Sequence, residues 1–114
     1  MSEKLCIRNC NLLLPNELMP EQFQQLDTIL ITYDCEKESI MLSGPGHIGF
    51  KLSYPLAHQQ IMKTRNLAGD RVISCHALFL DHELADEPNE ELELKILQDG
   101  NILQISLPNH PTAP

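Results

Sequence analysis

The residues of this chain best equipped for chemistry are four cysteines, Cys6, Cys10, Cys35 and Cys75, and the histidine that follows the last of them, His76. Thiolates and imidazoles are the ligands zinc takes in a tetrahedral set. Cys6 and Cys10 are separated by three residues, and Cys10 and His76 occupy matching places in an internal echo of the sequence. Structural zinc sites, however, place paired ligands on turns, whereas residues 4–14 read as a strand. Residues four apart on a strand share a face but lie roughly 13 Å from one another. A bulge at Asn9-Cys10 would be needed to bring Cys6 and Cys10 together. The expectation is therefore buried thiols acting as small hydrophobes, with no metal and no cofactor. Cys75 and His76 do not form a nucleophile and its base either, because adjacent strand residues point to opposite faces. No catalytic residue is assigned, and the chain reads as a non-enzyme.

The second chemical resource is charge. The chain has 114 residues, 16 acidic and 8 basic, for a net charge of −8 and a pI near 4.9. Proteins that bind nucleic acid gather cations on one face to neutralise phosphates. The densest cationic stretch here runs from Lys63 through Arg65 to Arg71, with Arg8 apart from it. Arg8, Lys63, Arg65 and Arg71 are the candidate DNA-binding residues. The acidic balance disfavours DNA and favours a protein partner. Two other motifs are excluded by their spacing. Gly44-Pro45-Gly46-His47-Ile48-Gly49 lacks the Gly-Lys-Ser/Thr ending of a phosphate loop. The acidic run from Asp81 to Glu93 lacks calcium-loop spacing and reads as a solvated edge that discourages strand aggregation.

These residues have to be positioned by elements that the apolar pattern suggests. Length and the 42% apolar content fit one domain with an aliphatic core, since Trp is absent and Phe and Tyr together number five. Residues 4–14 read as a strand closed by Pro15. A short helix follows from Leu18 to Leu26, with Asn16 as its N-cap. Ile29, Ile31 and Tyr33 alternate with polar or outward positions, and Ile40 to Ser43 return after the polar turn Asp34 to Ser39, making a hairpin. The Gly-rich stretch 44–49 breaks regular structure. The alternation of Ile48, Phe50 and Leu52 predicts a short strand. Pro55 then opens a helix over about 56–67, and Gly69 serves as its C-cap. Val72 to Leu80 reads as a strand and Asp81 as the cap of a helical turn ended by Pro88. Leu92, Leu94 and Ile96 pair with Ile102 to Leu107 across Asp99-Gly100, a type I′ hairpin signal. The tail at 109–114 is proline-rich and expected to be flexible.

The pattern repeats. Leu12-Leu13-Leu14-Pro15-Asn16-Glu17-Leu18 returns as Leu78-Phe79-Leu80-Asp81-His82-Glu83-Leu84, and Ile29, Ile31, Tyr33, Ile40 and Leu42 return as Leu92, Leu94, Ile96, Leu103 and Ile105. Duplicated supersecondary units usually build one core between them. The order strand, short helix, hairpin, stated twice over about 5–43 and 72–107 and joined by 44–71, resembles the swapped-hairpin β-barrel family of the AbrB-type transition regulators and the MraZ regulators. The resemblance implies a mainly β fold with short helices, a pseudo-symmetric swapped-hairpin barrel filling residues 1–108, and homo-oligomers. The MraZ signature, Asp-x-x-x-Arg before each apolar run, is replaced here by Ile7 with Asn11 and by Ile73 with Ala77, and Arg8 stands out of register.

The resulting expectation is a divergent MraZ/AbrB-like binding protein that acts through protein contacts or weak DNA binding, with an oligomeric scaffold as the alternative. Met1-Ser2-Glu3-Lys4 opens no apolar leader. No stretch approaches the roughly 18–20 apolar residues of a membrane span. The expected location is the cytoplasm.

Overall fold

The structure, a computed structural model, describes residues 5–65, 67, 69–82 and 92–107. Its elements run β1 (Cys6–Arg8), β2 (Asn11–Leu14), α1 (Glu21–Gln24), β3 (Thr28–Asp34), β4 (Ser39–Ser43), α2 (Ile48–Ser53), β5 (His58–Thr64), β6 (Arg71–Ser74), α3 (His76–Asp81), β7 (Glu93–Leu97) and β8 (Ile102–Ser106). The strands are all antiparallel and stand in the order β1-β2-β6-β5-β3-β4-β8-β7, curled into a half-barrel. The fold is mainly β with short helices. No helix among the described residues is long and apolar enough to cross a membrane.

One strand joins the two halves of the sheet. The first part of β5, His58 to Ile61, pairs with β3, and its last part, Met62 to Thr64, pairs with β6. The amide of Met62 still donates to Asp27 O at 2.8 Å, so the changeover occurs without a break in pairing. The alternation of β5 turns Met62 inward and leaves Gln59, Ile61 and Lys63 exposed. The helix anticipated over 56–67 is thus a strand. Of the apolar residues that suggested it, only Met62 is buried, while Leu56, Ile61 and Leu67 are exposed. The strand anticipated at 48–52 is in turn helix α2. The Nδ1 atom of His47 accepts the Phe50 amide at 2.9 Å and caps its first turn. α2 buries Phe50 and exposes Ile48 and Leu52, which mimics strand alternation over so short a segment.

The first strand expected, 4–14, is a hairpin. Asn9 and Cys10 both take positive φ, 52° and 60°, which is the geometry of a two-residue type I′ turn, and Arg8 pairs with Asn11 across it. Asn tolerates this conformation and Cys carries the steric cost. The helix expected from Leu18 to Leu26 divides into a 3-10 turn, Asn16–Leu18, and α1, with Pro20 between them. Asn16 lies inside that turn and makes no side-chain cap. Its amide donates to Asp70 Oδ1 at 2.8 Å. Gly69 does adopt a positive φ, but in the connection between β5 and β6 and not behind a helix.

The inner face of the curl holds the main core. Ile7, Leu12, Leu14, Ile29, Ile31, Ile40, Leu42, Met62, Ile73, Leu103 and Ile105 come from the sheet, and Phe23 of α1 with Leu78 and Phe79 of α3 close it. A second, smaller core lies on the outer face, where α2 lays Phe50 on Leu30, Met41 and Ile102. Removing Phe50 from water contributes about 1.5–3 kcal/mol.

The internal echo is realised unevenly. Leu12-Leu13-Leu14 is in strand β2. Its counterpart Leu78-Phe79-Leu80 is in helix α3, where the strand expected over 72–80 has already ended at Ser74. Leu78 and Phe79 are buried side by side, which a helix allows and a strand covered on one face does not. Asp81 is the last residue of α3, and the helical turn it was expected to cap runs on beyond the described residues. The hairpins β3–β4 and β7–β8 agree residue by residue. Ile31 pairs with Leu42 as Leu94 pairs with Ile105, and Tyr33 pairs with Ile40 as Ile96 pairs with Leu103. Strands β4 and β8 pair with each other about Met41 and Gln104, themselves equivalent positions. The second hairpin closes through Gln98–Asn101 with positive φ at Gln98 and Gly100, a longer loop than the two-residue Asp99-Gly100 turn anticipated. The turn expected to end at Pro88, the bulk of the acidic run, and the tail at 109–114 fall outside the described residues.

Candidate functional site

Strand alternation sorts the four candidate cations onto two faces. Ile7, Leu12, Ile73 and Met62 are in one row across β1, β2, β6 and β5, and all point into the core. The rows on either side of it, Cys6-Leu13-Val72-Lys63 and Arg8-Asn11-Ser74, therefore belong to the outer face. Lys63 and Arg8 are exposed there. Arg65, one alternate position beyond Lys63, is exposed too, its amide donating to Asp70 O at 2.7 Å. Arg71 is on the other face and is put to structural use. Its Nη1 donates to Leu26 O at 2.9 Å and Met62 O at 3.0 Å, and its Nη2 donates to Gln24 O at 2.9 Å. It ties the end of α1 to the changeover point of β5. The cluster that looks continuous from 63 to 71 is thus split, and Arg8 joins Lys63 and Arg65 from across the sheet.

The composition of this half of the sheet is unlike that of the chain. Strands β1, β2, β5 and β6 contain no aspartate or glutamate. Between the cations the outer face presents Ile61, which is 59% exposed, and the half-buried Leu13 and Val72. Asp70, at the edge of this region, is buried and turned to the Asn16 amide. In an acidic protein these four strands thus carry cations and apolar side chains and no acids. These four strands carry no Phe, Tyr or Trp on which a base could stack.

A cleft of about 610 Å³ opens elsewhere, between β3, the connection from α2 to β5, and the end of α3. Tyr33 and His82 meet across it with ring centroids 5.2 Å apart. Tyr54 donates its hydroxyl to Asp34 Oδ2 at 2.5 Å, and its ring packs on Phe50 at 5.0 Å. Burial, followed by the bond to Asp34, pushes the Tyr54 phenol up to about 12, and the same bond holds the Asp34 carboxyl below its usual range. Sequence reasoning passed over this cleft. Its one available signal was His58, a polar residue at an inward position of a strand.

The cysteines do not assemble. Cys6 is buried on the outer face, Cys35 is exposed in the β3–β4 turn, and only Cys10 and Cys75 adjoin, through the Cys75 amide donating to Cys10 O at 2.7 Å. Burial pushes the Cys75 thiol up to about 12, which keeps it protonated and poorly nucleophilic at neutral pH. His76 is exposed on α3. Among the described residues no three His, Cys, Asp or Glu side chains are grouped to hold a metal. Compared with known proteins, the chain matches no family model, no curated protein and no solved structure.

Proposed function

We propose that this is a non-catalytic binding protein, a divergent relative of the MraZ/AbrB-like regulators, whose interface is the outer face of β1, β2, β6 and β5. The observation that carries the proposal is the segregation of charge: Arg8 and Lys63 stand on strands without a single carboxylate, with Arg65 just past the end of β5, in a chain of net charge −8. Such a face attracts an anionic partner. Three cations are few for a duplex, whose binding grows with the number of phosphates neutralised. Ile61, Leu13 and Val72 suit an acidic segment of protein that brings apolar side chains of its own. The equal registers of the two hairpins support the family proposal.

The test uses an acidic amphipathic peptide and a DNA duplex of similar length. The peptide should bind more tightly, its affinity should fall with salt, and the triple variant Arg8→Ala, Lys63→Ala, Arg65→Ala should lose most of it. Arg71→Ala should instead lower stability by about 2 kcal/mol, because it strips the backbone carbonyls of a charged donor. Failure of both ligands to bind at low salt would sink the proposal. A second reading, an oligomeric scaffold, is favoured by β7, which among the described residues ends the strand order, where a second copy could pair. A monomer by light scattering at micromolar concentration overturns that one.

A further inference from the structure

The half-barrel is open along β7, and the sequence of that strand is its own complement. Among the described residues β7 ends the strand order, so no strand lies beside its far edge there. Its near edge pairs with β8, which sets Glu93 opposite Ser106 and Lys95 opposite Gln104. Both charges are exposed, and neither meets an opposite charge across that ladder. On the other face Leu92 and Leu94 pack against the main core from its margin. Ile96 stands 53% exposed beside Leu103, which is wholly buried. The core thus reaches this edge and is left partly uncovered by it.

The pattern of β7 selects what covers it. Two identical strands paired antiparallel have a twofold axis between one residue and its own copy, and the choice of that residue fixes every other contact. With the axis at Leu94, Glu93 faces the second copy's Lys95, and Lys95 faces the second copy's Glu93. Leu94 meets its own copy, and Leu92, the residue before β7, meets the second copy's Ile96. Moving the axis by one residue sets Lys95 against Lys95 or Glu93 against Glu93, and like charges directly opposite destabilise a pair. Placing it at Ile96 sets Lys95 against Leu97 and leaves both charges unmatched. Residues opposite each other in a ladder share a side of the sheet. The Leu94 register therefore also carries the apolar inner face from one copy into the next.

We propose that β7 pairs antiparallel with β7 of a second copy about Leu94, so that two half-barrels share one continuous sheet. This rests on the oligomeric reading above and gives it an interface. The same patch serves both copies, so the contact is closed at two and does not propagate. The main-chain groups of the edge set its direction, and the two Glu93–Lys95 pairs set its register. One strand from each copy is a small contact, which places the dissociation constant in the micromolar range.

Sedimentation equilibrium of the full chain across that range, at about 0.15 M salt to screen the net charge, tests the proposal. The wild type should be a monomer–dimer mixture. Glu93→Lys and Lys95→Glu each turn two symmetric attractions into repulsions and should weaken the dimer at least about tenfold. Glu93→Lys lowers the net negative charge and Lys95→Glu raises it, so a loss shared by both does not come from overall charge. The double variant Glu93→Lys, Lys95→Glu opposes unlike charges again and should recover most of the affinity. The two single variants mixed in equal amounts should form a heterodimer. In wild-type NMR spectra the amide shifts that change with concentration should centre on residues 92–97, which decides the matter even if a variant fails to fold. A dimer indifferent to the charge reversals, or one that the double variant does not recover, overturns the β7 register and leaves the oligomeric reading standing. A monomer throughout overturns both.

Discussion

The two hairpins of this protein share a register and differ in nearly everything the register leaves open. β3 is paired on both edges and β4 is wholly buried, whereas β7 ends the sheet among the described residues, with Glu93, Lys95 and Ile96 exposed and Leu94 and Leu97 half-buried. Ile31 is shut away from solvent, and its equivalent Leu94 is half-buried. Tyr33 forms one wall of the cleft, and its equivalent Ile96 is 53% exposed. Asp34 organises its turn by accepting the amides of Glu36 and Lys37 at 3.0 and 3.1 Å, and the matching residue is Leu97. Pairing geometry is thus the conserved output of similar apolar spacing. Burial is decided afterwards, by what packs on each hairpin: α2 and β5 meet the first, and β7 is at the margin with Glu93 and Lys95 on it.

The largest expected contrast is in the core. Ile31→Ala should destabilise the protein by about 2–5 kcal/mol. Leu94→Ala should cost about half as much, because less of the side chain leaves water. Urea denaturation of both variants measures the difference, and equal losses would mean that the second hairpin is as deeply packed as the first.

A smaller contrast comes from acid. The Asp34 carboxyl, with Tyr54 donating to it, titrates below its ordinary 3.8 in the folded protein. Its contribution to stability is therefore complete above that ordinary value and disappears as pH falls through the lowered one. Asp34→Asn should flatten the melting temperature across this acid range, and a substitution at Leu97 should leave the slope unchanged. An identical pH profile for wild type and Asp34→Asn would show that the Tyr54 bond does not form.

The smallest contrast is in the loops. Glu38 closes the first hairpin at φ 50°, while its equivalent Asn101 takes φ −87°. Glu38→Gly should be neutral or stabilising by a few tenths to about 1 kcal/mol, relief of left-handed strain outweighing added chain entropy. Asn101→Gly should destabilise by up to about 1 kcal/mol. Thermal melts that rank them in the opposite order would refute this account of the loops.

The hairpins were legible because strict alternation around a polar turn has few other solutions, and both registers follow from it. The segments between them were not. Phe50 is the one apolar side chain α2 buries, so three residues at spacing two looked like a strand. β5 hid its alternation by turning His58 and Gln60 inward with Met62. The triplet Leu78-Phe79-Leu80 copies Leu12-Leu13-Leu14, but burial of neighbours or of alternates is settled by the surrounding sheet. At the candidate face the cations were visible as residue types. Their division was not, because the parity of Arg71 depends on where β6 begins. The cleft was illegible for a different reason: Tyr33, His58 and His82 come from three elements and meet only in space.

The split pairing of β5 also bears on how the chain must assemble. Leu12 pairs with Ile7 inside its own hairpin and with Ile73 of the distant β6, whereas the hairpin β3–β4 closes across four residues. During synthesis the β1–β2 hairpin is made well before β6 exists to receive it. The pairing of Leu12 with Ile73 and of Leu14 with Arg71 can form only once β6 has been made. Nascent chains stalled short of residue 74 would lack the strand against which the earliest hairpin packs and would leave the β2 edge unpaired.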